Sequence, residues 1–92
     1  MTTRIAYERL LEVVDGDREL VTLLIEEGVL VASEEGFSAQ DVDLVLCSFT
    51  LVRELNVNLA GVDIILRLRA ELARARRRLA ELDRQRRDSS ET

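Results

Sequence analysis

Histidine, proline and tryptophan are missing from this 92-residue chain, and cysteine occurs once, at position 47. Without histidine there is no imidazole acid–base chemistry and no histidine metal ligand. One cysteine excludes an internal disulfide and a cysteine-rich zinc site. No apolar run approaches the ~18 residues a membrane span needs, and the opening Met-Thr-Thr-Arg has no signal-peptide hydrophobic stretch. A cytoplasmic protein is the expectation. A chain this short buries only about 60–65% of the surface its unfolded form exposes. Its core is thin, and oligomerisation would be a natural supplement.

The net charge of −5 hides a division. Residues 1–66 hold 4 Arg against 13 Asp and Glu, a net −9, whereas residues 67–92 hold 9 Arg against 5, a net +4. Nucleic acid repels the first part, because its binding depends on neutralising phosphates with basic side chains. A basic protein partner suits that surface better.

Residues 5–14 read as a short helix, with Ile5, Leu10, Leu11 and Val14 at core spacing. Asp15-Gly16-Asp17 is a turn signal, and Asp17 is placed to cap a second helix over roughly 18–27 that ends at Gly28. Helix, tight turn, helix is the outline of a helix-turn-helix pair. Val29-Leu30-Val31-Ala32 is β-prone and Ser33-Glu34-Glu35-Gly36 turn-prone before Phe37, which predicts a small β-hairpin. Ser38 with Asp41 three positions on predicts a capped helix to about residue 55. That helix carries two apolar stripes, Val42/Val45/Leu46/Phe49/Val52 and Leu44/Cys47/Leu51/Leu55, which predict burial against several neighbours. Cys47, without a basic neighbour, reads as a small core residue rather than a reactive thiol.

The last helix begins near Leu59 and is expected to reach about Arg87, a length of roughly 40 Å. Ile65, Leu68, Leu72, Ala75, Leu79 and Leu82 alternate steps of three and four, a heptad seam suited to dimerisation. Arg69, Glu71, Arg76 and Arg78 flank it. The run Arg74, Arg76, Arg77, Arg78, Arg84, Arg86 and Arg87 reads as the solvated face of a coiled coil. Asp88-Ser89-Ser90-Glu91-Thr92 reads as a disordered tail. The expected organisation is an acidic body over 1–58, a coiled-coil helix over 59–87 and the tail over 88–92.

Between the two long helices lies Arg53-Glu54-Leu55-Asn56-Val57-Asn58-Leu59-Ala60-Gly61-Val62. Asn56 suits the left-handed residue that closes a helix, and Asn58 suits the cap of the next. Ala60 and Gly61 are small enough to admit a close helix neighbour. This junction, "NVNLAGV" between an apolar helix and a long Arg/Glu/Leu helix, resembles that of MerR-like winged-helix proteins. It looks closest to their chaperone-modulator, CbpM-like branch. The resemblance spans roughly residues 5–82. It implies a mostly α fold, a MerR-like winged helix-turn-helix with a small β-hairpin wing and a long C-terminal dimerisation helix. An antiparallel helix pair is the dimer device it implies.

The resemblance also implies a function. MerR-like DNA readers carry Arg and Tyr on the second helix and the wing. Here the second helix has one Arg and three Glu, and the wing segment supplies Glu34 and Glu35. The expectation therefore moves to a non-enzymatic modulator that binds the J-domain of a DnaJ/CbpA-type co-chaperone and blocks its engagement of a DnaK-type chaperone. Asp15, Asp17, Glu19, Glu26, Glu27, Glu34 and Glu35 form the candidate partner-binding set, against the plainer reading of a solubilising surface. A MerR-family DNA-binding transcriptional regulator is the alternative, and a purely structural dimerisation module a third. The carboxylate pairs Glu26/Glu27 and Glu34/Glu35 lack the second residue type that acid–base work needs. No enzyme activity, metal or cofactor is expected.

Overall fold

The computed structural model describes residues 4–90. They are mostly helical: α1 (Tyr7–Val13), α2 (Arg18–Glu26), α3 (Ala39–Phe49) and α4 (Leu59–Ser90), with a π-helical turn, Thr50–Glu54, extending α3. The chain divides into two compact units after Val62. No helix among the described residues is long and apolar enough to cross a membrane.

Local signals set the ends of the elements in the first unit. Asp17 accepts a hydrogen bond from the Leu20 amide at 3.1 Å and so caps α2. Ser38 and Asp41 form a complete capping box: the Asp41 amide donates to Ser38 Oγ at 3.1 Å, and the Ser38 amide to Asp41 Oδ2 at 2.9 Å. Gly28 takes the left-handed conformation (φ 76°) after α2. The Gly28 amide then donates to Ile25 and the Val29 amide to Leu24, which satisfies two orphan carbonyls of the last turn. Asp15 (φ 54°) plays the same part after α1, where the Gly16 amide donates to Leu11 at 2.8 Å.

The core gathers Leu10, Leu11 and Val14 of α1, Leu20, Val21 and Leu24 of α2, Val45 of α3, and Leu30 and Phe37 from the connection between α2 and α3. Both α1 and α2 pack on α3. Ile5 is not part of α1 as expected. It pairs instead with Phe37 in an isolated antiparallel bridge, each amide donating to the other's carbonyl at 2.7 and 2.8 Å. Gly36 (φ 96°) makes that approach feasible, because a Cβ there would lie 2.7 Å from the Ile5 carbonyl oxygen.

The predicted β-hairpin wing does not form: among the described residues there is no strand, only that one bridge. The physical reason lies at Leu30, which is 1% exposed and sits in the core, directly after the α2 cap. Its amide donates to Leu24, so it belongs to the helix end rather than to a hairpin ladder. The turn at 33–36 does form, closed by the Gly36 amide on the Ser33 carbonyl.

The α3 stripes are only partly covered. Val45 is fully buried, but Leu46 and Leu55 remain 44% and 63% exposed, and Cys47 is a half-buried free thiol. Ser48 is fully buried instead, which its hydroxyl tolerates by donating to the Leu44 carbonyl at 2.8 Å. Thr50 makes the same bond to Leu46 at 3.2 Å. Together these back-bonds prepare the widened turn, in which the Leu55 amide reaches Thr50, five residues back.

At the junction Asn56 is left-handed (φ 55°), and Asn58 caps α4 by accepting from the Gly61 amide at 2.8 Å. The small size of Gly61 serves a nearer neighbour than another helix. A Cβ on it would meet Val57 Cγ1 at 2.7 Å. Leu59 packs on the core of the first unit and Val62 is fully buried. Helix α4 continues through Asp88 and Ser89 to Ser90, residues expected to belong to the tail; Glu91 and Thr92 lie outside the described residues.

Candidate functional site

The seven acidic residues proposed as a partner-binding set fall into three places, each with its own electrostatics. Asp15, Asp17 and Glu19 lie where α2 begins, Glu26 and Glu27 where it ends, about 13 Å further along the axis, and Glu34 and Glu35 in the following loop.

In the group at the start of α2, Asp17 is committed to structure, while the Asp15 and Glu19 side chains are exposed. Asp17 receives both Arg53 Nε at 2.7 Å and Arg53 NH2 at 3.2 Å, a two-pronged pair that joins α2 to the π-helical turn. Hydrogen bonding from Arg53 holds the Asp17 carboxyl below the usual carboxylate range, with the Leu20 amide helping and partial burial opposing. The same bond holds the Arg53 guanidinium above its ordinary value, and the charge of Glu19 adds to it. Asp15 serves the left-handed position after α1. Arg18 lies 5.8 Å from the centre of the Tyr7 ring, at cation–π distance.

The end of α2 is different. Glu26 stands in its last turn and Glu27 at its C-cap, both exposed, with no basic residue in that turn. Carboxylates there face the negative end of the helix dipole, an arrangement that costs about 0.3–1 kcal/mol per charge. Neither makes an ion pair among the described residues. Two apolar residues adjoin them in sequence: Ile25 and Val29, half-buried against the core. Val21, one turn earlier in α2, is fully buried core. Val31 is 75% exposed in the loop just beyond, where strand propensity had placed it in the predicted hairpin. In that loop Glu35 pairs loosely with Arg4 at 3.7 Å, while Glu34 stays exposed without an ion pair among the described residues.

The second unit carries the apolar seam. Leu68, Leu72, Leu79 and Leu82 are between 51% and 65% exposed, Ala75 is exposed, and Ile65 is half-buried. Asp63 pairs with Arg67 at 3.0 Å, Glu81 with Arg84 at 3.4 Å, and Asp83 with Arg87 at 3.1 Å and Arg86 at 3.8 Å. These are spacings of three and four that stabilise an exposed helix. Arg74, Arg76, Arg77 and Arg78 make no ion pair among the described residues, and neither does Glu71.

Among the described residues no group of three or more Cys, Asp or Glu is placed to hold a metal ion. Comparison with protein families, curated proteins and solved structures gives no match.

Proposed function

We propose that this chain is a non-enzymatic chaperone modulator of the CbpM-like kind. It binds the J-domain of a DnaJ/CbpA-type co-chaperone in the cytoplasm and blocks its engagement of a DnaK-type chaperone. In this reading α1, the Asp15-Gly16-Asp17 turn and α2 are a MerR-like helix-turn-helix pair, and the exposed seam of α4 joins two copies. The observation that carries it is the end of α2. Glu26 and Glu27 are exposed, without an ion pair, and held at the helix end that disfavours them. A basic helix docked there relieves that disfavour, speeds association and fixes register, and Val31 offers apolar contact beside it. Phosphates would be repelled at the same place.

Replacing both residues, Glu26→Arg with Glu27→Arg, tests the reading. Arginine suits the last turn of a helix, so circular dichroism should show the fold intact. Titration with an isolated J-domain is expected to lose about tenfold in affinity or more. Equal affinity of the two proteins would rule out this surface. Binding of duplex DNA by the unmodified chain, weakening with salt, would instead favour a transcriptional regulator.

A further inference from the structure

We propose that the basic face of α4 docks on the Glu26/Glu27 end of α2 in another copy, and so masks that end from its partner. The inference rests on the reading of that end as a site for a basic helix and adds its regulation. Arg74, Arg77 and Arg78 are exposed, stand three and four positions apart, and make no ion pair among the described residues. Neighbours at those spacings share one side of a helix, and like charges there repel. Elsewhere on α4, Arg67 is paired with Asp63, Arg84 with Glu81, and Arg86 and Arg87 with Asp83. At about 100° per residue, the three unpaired arginines lie about 90–170° round the helix from the centre of the apolar stripe. Their face stays open when the stripe is covered.

Charge complementarity identifies the occupant. Residues 1–62 hold 4 Arg against 12 Asp and Glu, and residues 63–92 hold 9 Arg against 6, so each unit attracts the opposite unit of another copy. Within the acidic unit, Glu26 and Glu27 are adjacent, exposed and without an ion pair among the described residues. They stand at the helix end whose dipole disfavours them. Arg74 to Arg78 spans about 6 Å along the axis, so two guanidiniums reach two consecutive carboxylates, each with a fork of donors. A nucleic-acid backbone, the other chemistry that arginines fit, is repelled by the acidic unit of the same chain.

The contact joins two different surfaces, so each docked copy still offers a free α4 face or a free α2 end. Association is therefore open-ended, grows with concentration and is screened by salt. It makes the chain its own competitor. Concentrated copies hide the end of α2, and dilute copies expose it.

Sedimentation of the full chain between about 10 and 300 µM tests the contact. At about 20 mM salt the wild-type chain is expected to grow beyond the size it keeps at about 300 mM. Arg74→Glu with Arg77→Glu should abolish that growth, and so should Glu26→Arg with Glu27→Arg. Mixing the two variants should restore it, because each α4 face then meets an α2 end of opposite charge. Circular dichroism checks that each variant keeps its helices. Growth that ignores salt, survives either reversal or fails to return on mixing overturns the proposal. Duplex nucleic acid retained by the wild-type chain, and lost on reversing Arg74 and Arg77, assigns the face to phosphates and overturns it as well.

J-domain titration at low salt separates this inference from the reading beneath it. At high chain concentration, Arg74→Glu with Arg77→Glu should bind about threefold tighter than wild type or more, and equally when dilute. Equal affinity at both concentrations, with the rescue on mixing in place, overturns the masking. No binding by any form, with the same rescue, overturns the J-domain reading and leaves the contact between copies standing.

Discussion

Leu24 and Leu72 are both leucines at helical spacing, yet the first is fully buried and the second half exposed. Leu24 belongs to a unit with 4 Arg against 12 acidic residues, folded from short helices that cover one another. Leu72 belongs to a unit with 9 Arg against 6 acidic residues, a single helix whose backbone is satisfied along its own length. Seven- and nine-residue helices are marginal alone and draw their stability from packing. A 32-residue helix depends less on packing and can leave its apolar stripe open to another chain.

Cutting the same side chain in both units gives the widest contrast. Leu24→Ala is expected to cost about 3 kcal/mol in urea denaturation. Leu72→Ala, at dilutions where the chain is monomeric, should fall within about 0.5 kcal/mol of the parent. Similar losses at the two positions would end the distinction.

Next in size is the bridge that stands in for the wing. Gly36→Ala forces a Cβ against the Ile5 carbonyl at a positive φ, and the expected loss is about 2 kcal/mol in thermal unfolding. Gly28→Ala is also at a positive φ, 76°, but has nothing within 4 Å of its Cβ, so about 1 kcal/mol is expected there. Equal losses would show that the close approach to Ile5 is unimportant.

The smallest expected effect is the Asp17 charge. Asp17→Asn keeps a capping acceptor for α2 at Oδ1, and it removes the charge attraction to Arg53 together with the acceptor of the Arg53 Nε hydrogen bond. Because the folded carboxyl sits below its unfolded value of about 3.9, its stabilisation is present above that pH. It fades as pH falls through the lower, folded value. The variant should therefore be less stable than the parent at pH 7, and the two denaturation curves should converge in acid. A gap independent of pH would assign the difference to something other than ionisation.

How much of this was legible in the residues depended on distance along the chain. The caps at Asp17, Ser38 with Asp41 and Asn58, and the left-handed Gly28 and Asn56, act over three or four positions, and their residue types announce them. The failed wing shows the limit. Val29-Leu30-Val31-Ala32 has strand propensity, but the core claims Leu30, and the β-pairing that forms joins Ile5 to Phe37 across the whole helix pair. Likewise the Asp17–Arg53 pair spans 36 positions, and no local pattern joins the two. That pair engages Asp17 within the fold, while the unrelieved charge of Glu26 and Glu27 becomes visible only once the end of α2 is fixed.

The widened turn at Thr50–Glu54 makes this stretch tolerant of length. It closes over five residues where an ordinary helix uses four, as an insertion would leave it. Losing one codon there would let the segment rewind as an α-helix, with the Asn56 and Asn58 caps still leaving from nearly the same side of α3. A deletion inside the regular helix before it would instead turn every later residue by about 100° and swing Arg53 away from Asp17.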